Sequence, residues 1–226
     1  MEYSKEHARY LKRLRGKRIG ITAGRIAVVI VFFGLWEALT ALGALDSFIT
    51  SSPSRMAVKL AELLGEGQLM YHMGVTLAET LLAFLLATAL GMLAAIALWW
   101  CETARKILEP HLVILNSLPK IALGPVIIIW VGAGISAIIV MALLISLIIT
   151  IINTLQGFLN TDEGKLRLFK TMKASKRQTL FKLVLPSSLP NIFAVLKVNV
   201  GLCWVGTIMG EYLVSKAGLG YLIIYG

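Results

Sequence analysis

The chain has 226 residues, 58% of them hydrophobic and 15% charged. A soluble domain carries about a quarter charged residues, so this composition excludes an ordinary soluble domain and indicates a membrane protein. The formal net charge of +10 does not point to nucleic acid, because the cations sit in short segments between apolar runs, where they set membrane orientation.

The first 25 residues form a basic tail. The apolar run behind it has membrane length rather than that of a short signal-peptide core, so the first helix is expected to stay in the mature protein. A spanning helix needs about 20 apolar residues, and five runs reach that: Ile26–Leu45, Gly74–Trp100, Leu112–Val131, Ile135–Phe158 and Ile192–Leu213. The expected fold is all-α and polytopic. It has a basic tail (1–25), a first span with its external segment (26–73), and the remaining spans (74–226). The final run, YLIIYG, is too short to cross a bilayer, and the expectation is a chain lacking its last span.

Lys and Arg fix the orientation. Seventeen lie in the tail, in Cys101–Pro110 and in Leu159–Asn191, against three (Arg55, Lys59 and Lys216) in the segments on the other side. The N-terminus is therefore expected in the cytoplasm, with Trp99 and Trp100 at the inner interface and Trp130 at the outer one. Cys101 and Cys203 fit neither a disulfide framework nor metal-ligand spacing. His7, His72 and His111 are scattered and receive no role.

Within the third run lies Asn116-Ser117-Leu118-Pro119-Lys120. Pro119 and Pro125 lack an N–H, so the helix is expected to bend or break between them. Broken backbone at that depth is tolerated only when buried in protein or lining a wet cavity. Two readings stay open. In one, Asn116, Pro119, Lys120 and Pro125 line a translocation path or its gate. In the other, Lys120 snorkels or pairs with a carboxylate such as Glu37 or Glu211. Glu211 follows Gly206 and Gly210, whose spacing suits close helix packing; it reads as packing or as a substrate contact. Asn199 and Trp204 could line the same path.

The segment 159–191 is basic and patterned for two short helices. Leu166, Phe169 and Met172 recur every three residues and share one face. Ser175 and Gln178 form a capping box that starts a second helix, carrying Leu180, Phe181, Val184 and Leu185 and ending before Pro186. An apolar face of this kind, rimmed by Lys170, Lys173 and Lys176, suits a groove on a partner protein. A basic loop resting on anionic lipid is the plainer alternative.

Several motifs in order now carry a resemblance: Trp36-Glu37, Ser52-Pro53-Ser54, Leu118-Pro119-Lys120-Ile121-Ala122-Leu123-Gly124-Pro125 with Trp130-Val131-Gly132, Lys173-Ala174-Ser175 with Leu185-Pro186 and Leu189-Pro190, and Gly210-Glu211 with Gly218-Leu219-Gly220. Together the chain resembles the inner-membrane permease subunits of binding-protein-dependent ABC importers, most of all the nitrate/sulfonate/taurine branch. The resemblance implies six spans and a cytoplasmic coupling-helix hairpin at 159–191 that docks on an ATPase through Leu166, Phe169, Lys170, Met172, Lys173, Ala174 and Ser175. The family's EAA positions are Arg167, Leu168 and Phe169 here, and its turn glycine is Lys173; a left-handed Lys173 costs on the order of 1 kcal/mol.

The resemblance further implies two permease copies, cytoplasmic ATPase subunits and an extracytoplasmic binding protein in the plasma or inner membrane. It implies no cofactor in this chain, with ATP and Mg held by the partner. The sequence has no phosphate-binding loop, no His-Glu-x-x-His, no Gly-x-Ser-x-Gly and no acidic metal cluster, so no catalytic or metal-binding residue is assigned. A membrane-embedded enzyme, a membrane scaffold and a secondary transporter are the competing classes. A small solute is the expected cargo, with an anion among the candidates.

Overall fold

The computed structural model describes residues 5–45 and 50–225, with side chains from residue 10 onward. The side chains of His7 and of the basic residues Lys5 and Arg9, and residues 46–49 of the expected external segment, lie outside the described residues. No strand occurs among the described residues. The chain divides into two compact units, one up to Gln68 and one from Leu69 onward.

In the first unit, α1 runs from Lys5 to Ala41. It starts about twenty residues earlier than the apolar run, because no proline interrupts the tail and its basic residues are good helix formers. It ends in a reciprocal C-cap, in which Gly43 N donates to Thr40 O and Ala44 N to Leu39 O. Helix α2 (Pro53–Gly65) has Ser52 as N-cap and Pro53 in its first turn, where a missing N–H costs nothing. Two motif pieces meet here: Ser54 donates to Glu37 from its backbone N at 3.1 Å and its hydroxyl at 2.7 Å. Glu37 is thus held by the Ser52-Pro53-Ser54 turn.

In the second unit, α3 spans Gln68–Trp100. Helix α4 (Glu102–Ser117) is followed by a 3-10 turn (Lys120–Leu123) and α5 (Gly124–Val131). The axis bends by 84° across Leu118-Pro119. The break falls at Pro119 alone. Pro125 sits in the first turn of α5 and disturbs nothing there, so the expected break between two prolines is corrected to one corner. Gly132 and Gly134, at φ 87 and 137, turn the chain into α6 (Ile135–Leu159). Among the described residues four helices are long and apolar enough to cross a membrane, or five if the bent pair is one span.

The predicted hairpin needs a second correction. Helix α7 (Glu163–Thr171) is as expected, but its successor does not stop before Pro186. Helix α8 (Lys176–Thr179), a π turn (Leu180–Val184) and α9 (Leu185–Val214) run on as one helix of 39 residues. Pro186 falls in the first turn after the π turn, whose wider hydrogen-bond spacing releases the carbonyl a proline would otherwise strand. Helix α10 (Leu219–Tyr225) closes the chain.

The core forms where α6 lies along α9. A Cβ on Gly206 would stand 2.5 Å from Ala142 Cα, and one on Gly210 2.8 Å from Ile138 Cα. Small residues therefore set the helix separation, since lipid offers no hydrophobic drive. A polar thread crosses this seam. Thr150 donates to Asn199 Oδ1 at 2.7 Å, and Asn199 Nδ2 donates to Thr88 at 3.2 Å, tying α3, α6 and α9 together.

Candidate functional site

Asp162 caps α7 by accepting from Lys165 N at 2.8 Å, and Glu163 pairs with Arg167 one turn on at 3.0 Å. Helix α7 ends in a Schellman motif: Lys173 N donates to Lys170 O and Ala174 N to Phe169 O, both at 3.0 Å. Its left-handed residue is Lys173, at φ 55. The capping box forms as expected. Gln178 N donates to Ser175 Oγ at 3.2 Å, and Ser175 N to Gln178 Oε1 at 2.8 Å.

The faces of this loop differ from the sequence pattern. Leu166 is half-buried and packs against the buried cluster that includes Leu98, Phe158, Leu180 and Val184, and Phe169 is half-buried. Leu168 and Met172 are the apolar residues that stand free, 56% and 71% exposed. A three-residue repeat drifts around a 3.6-residue helix, so Leu166 and Met172 do not share an outward face. Lys176, expected at the rim, instead donates to Trp100 O. Its ammonium stands 5.9 and 5.7 Å from the Trp99 and Trp100 ring centroids, a favourable cation–π geometry. The loop is thereby pinned to the end of α3, while Lys170, Lys173 and Ser175 remain exposed and Ala174 half-buried.

At the broken span, Lys120 Nζ donates to Asn116 O at 2.9 Å and to Asn116 Oδ1 at 3.2 Å. The lysine thus satisfies a carbonyl that the break at Pro119 leaves without a helical donor. Within this unit, and among the described residues, Lys120 makes no ion pair with Glu211, which is bonded to Gly220.

Glu211 belongs to a different cluster. It is 1% exposed, and its Oε2 accepts from Gly220 N at 2.7 Å. Beside that bond, His72 Nδ1 accepts from Gly218 N at 2.9 Å and Thr76 Oγ1 from Leu219 N at 2.8 Å. Three consecutive N–H groups at the start of α10 are therefore held by α3 and α9. Gly218, at φ 106, leaves no room for a side chain: a Cβ would lie 2.3 Å from the Glu211 carboxyl. The Glu79 carboxyl lies against that of Glu211 and lines a cavity of about 460 Å³ with Tyr71, Gly134, Ile138 and Lys216.

Sequence reasoning missed His72, Thr76, Glu79 and Lys197. The Gly-Leu-Gly after Glu211 was the available signal for the first three, because buried N–H groups need acceptors. Lys197 was hidden inside the fifth apolar run. It is exposed on α9 and has no ion pair or hydrogen bond among the described residues.

Comparison with known proteins agrees with this architecture. Residues 87–226 match the family described as binding-protein-dependent transport system inner membrane component. The chain is 26% identical over 208 residues to an aliphatic sulfonates transport permease protein of Bacillus subtilis, covering 92% of this chain and 75% of that protein. It is 32% identical over 203 residues to an ABC transporter permease protein of Haemophilus influenzae, covering 88% and 81%. It is 25% identical over 226 residues to the taurine transport system permease protein of Escherichia coli, covering 97% and 81%. The fold also matches the MetNI methionine ABC transporter in an inward-facing conformation, with a TM-score of 0.58 at 20% identity over 67% of this chain and 76% of that one. The chain belongs to the inner membrane components of binding-protein-dependent transport systems, and is a multi-pass permease subunit of an ABC importer.

Proposed function

We propose that two copies of this chain form the translocation path of an importer for a small organic anion of the sulfonate and taurine kind. The relatives named above support that substrate class. A cytoplasmic ATPase docks on the exposed rim of the 162–178 loop through Leu168, Met172, Lys170, Lys173 and Ser175, with Phe169 and Ala174 as half-buried supports. Leu166 anchors the loop to its own core rather than to the partner. An extracytoplasmic binding protein delivers the solute, and ATP and Mg are bound by the ATPase. The N-terminus and the loop face the cytoplasm.

The segment Asn116, Pro119, Lys120 and Pro125 lines the path. Glu211 acts beside it as part of the clasp on α10. Movement of the loop on ATP binding and hydrolysis alternates access between the two sides.

The observation that carries this reading is the pair of free apolar side chains, Leu168 and Met172, on a loop otherwise fastened to the helix bundle. Exposed apolar anchors on a cytoplasmic turn suit a groove on a partner. The test is a mild-detergent pull-down of the tagged chain from its native host, read by mass spectrometry. The wild type recovers a phosphate-loop ATPase, and Leu168→Asp with Met172→Asp loses it. Recovery of a folded chain with no ATPase in either case would overturn the proposal.

A further inference from the structure

Lys197 is a charge without a counter-charge at mid-membrane depth. Its depth follows from a hydrogen bond two residues away. Asn199 Nδ2 donates to Thr88 at 3.2 Å, and Thr88 stands twelve residues before Trp100 on the unbroken helix α3. At 1.5 Å per residue that is about 18 Å from the tryptophan pair. Helix α9 runs antiparallel to α3, so Lys197 lies about 3 Å nearer to that pair. A hydrocarbon core of about 30 Å puts its middle there. A lysine near a helix end snorkels to the interface; one at the centre has too far to reach.

Nor do the described residues of its own unit neutralise it. From residue 69 onward no acidic side chain pairs with it among the described residues. Glu79 lies against Glu211, which holds Gly220; Glu102, Glu109 and Glu163 pair with Lys106, Arg105 and Arg167; Asp162 caps α7. The face that carries Lys197 is also turned away from the bundle. Two residues along a helix is about 200° around it, so Lys197 is opposite Val195 and Asn199, both of which are buried. Its neighbours one turn away are Phe193, Ala194, Val200 and Gly201, all exposed, and a Cβ on Gly201 would meet nothing within 4 Å. A full charge facing lipid at this depth is costly, and such groups turn to a wet cavity instead.

We propose that Lys197 projects into the translocation path and binds the negatively charged group of the solute, a sulfonate or carboxylate. The inference rests on the two-copy importer reading, which sets two such lysines around one shared path. Glu79, a carboxylate left without a cation in this unit among the described residues, is buried beside Glu211, about 21 Å along α9 from Lys197. A second copy therefore does not present it there, and an anion in the path is the partner. Lys120, on the path-lining segment, is already bonded to Asn116 at the break.

The test uses the full chain in native-host membranes, with Cys101→Ser and Cys203→Ala as background and Gly201→Cys as reporter. Two water-soluble thiol reagents are compared, 2-sulfonatoethyl and 2-(trimethylammonio)ethyl methanethiosulfonate, with rates normalised to a free thiol. Lys197 should favour the sulfonate reagent at position 201 by about tenfold. Lys197→Gln should bring the ratio near one, and Lys197→Arg should preserve it. Two results would overturn the inference: neither reagent reaching position 201 from either side of the membrane, or a ratio indifferent to Lys197→Gln. Recovery of the ATPase is measured on the same membranes, so a failed importer reading and a dry or charge-blind face are separate outcomes.

Discussion

Lys173 holds the position that ends α7, and its φ of 55 is one that side chains resist. In the left-handed region a Cβ costs roughly 1–2 kcal/mol relative to glycine. Glycine's extra freedom in the opened loop cancels about 0.5–1 kcal/mol of that. Lys173→Gly should therefore stabilise the turn by about 0.5–1 kcal/mol. The turn is closed by Lys173 N to Lys170 O and Ala174 N to Phe169 O, both 3.0 Å, so these two amides report its opening. Hydrogen exchange of the peptide covering 163–175 should slow about two- to fivefold in the variant. Lys173→Ala is the decisive control, because alanine keeps the Cβ and discards only the charge. Exchange that slows as much with alanine as with glycine would refute the backbone argument and assign the effect to charge removal.

Three other perturbations probe the bundle. Gly206→Leu meets Ala142 Cα at the helix seam and should cost about 1–3 kcal/mol, lowering the thermal midpoint in mild detergent; Gly201→Leu, where space is open, should not. Asn199→Leu removes two interhelical hydrogen bonds but leaves Thr150 donating to Ser146 O at 2.7 Å. Its cost should be about 1–2 kcal/mol in the same scan, and an unchanged midpoint would show the thread to be idle. His72→Ala strips the acceptor from Gly218 N and should cost about 1–3 kcal/mol locally. That loss is visible as faster exchange over 218–220, whereas Thr76→Ser keeps its hydroxyl and should exchange as the native chain does.

Much of this molecule was legible in the sequence because lipid imposes a one-dimensional rule. Apolar length gave the spans, and the paired signals at Pro119 and at Ser175 with Gln178 gave the corner and the helix start. What escaped depended on neighbours distant in sequence or on register. Pro186 reads as a terminator until a π turn is placed before it, and single-sequence periodicity carries no trace of that turn. Leu166 and Met172 look equivalent until the 3.6-residue repeat rotates one inward. His72 finds its role only through Gly218, 146 positions away. The fifth run was long enough to average away its own lysine.

The continuity of residues 176–214 has a mechanical meaning. A loop joined to its span by a flexible break would absorb a displacement. Here Lys176 to Val214 is a single rod about 57 Å long. A displacement of the loop, as proposed above, would be carried along this rod, with the π turn as its irregular point. The far end of the rod holds α10 through Glu211, so loop and α10 are ends of one helical element.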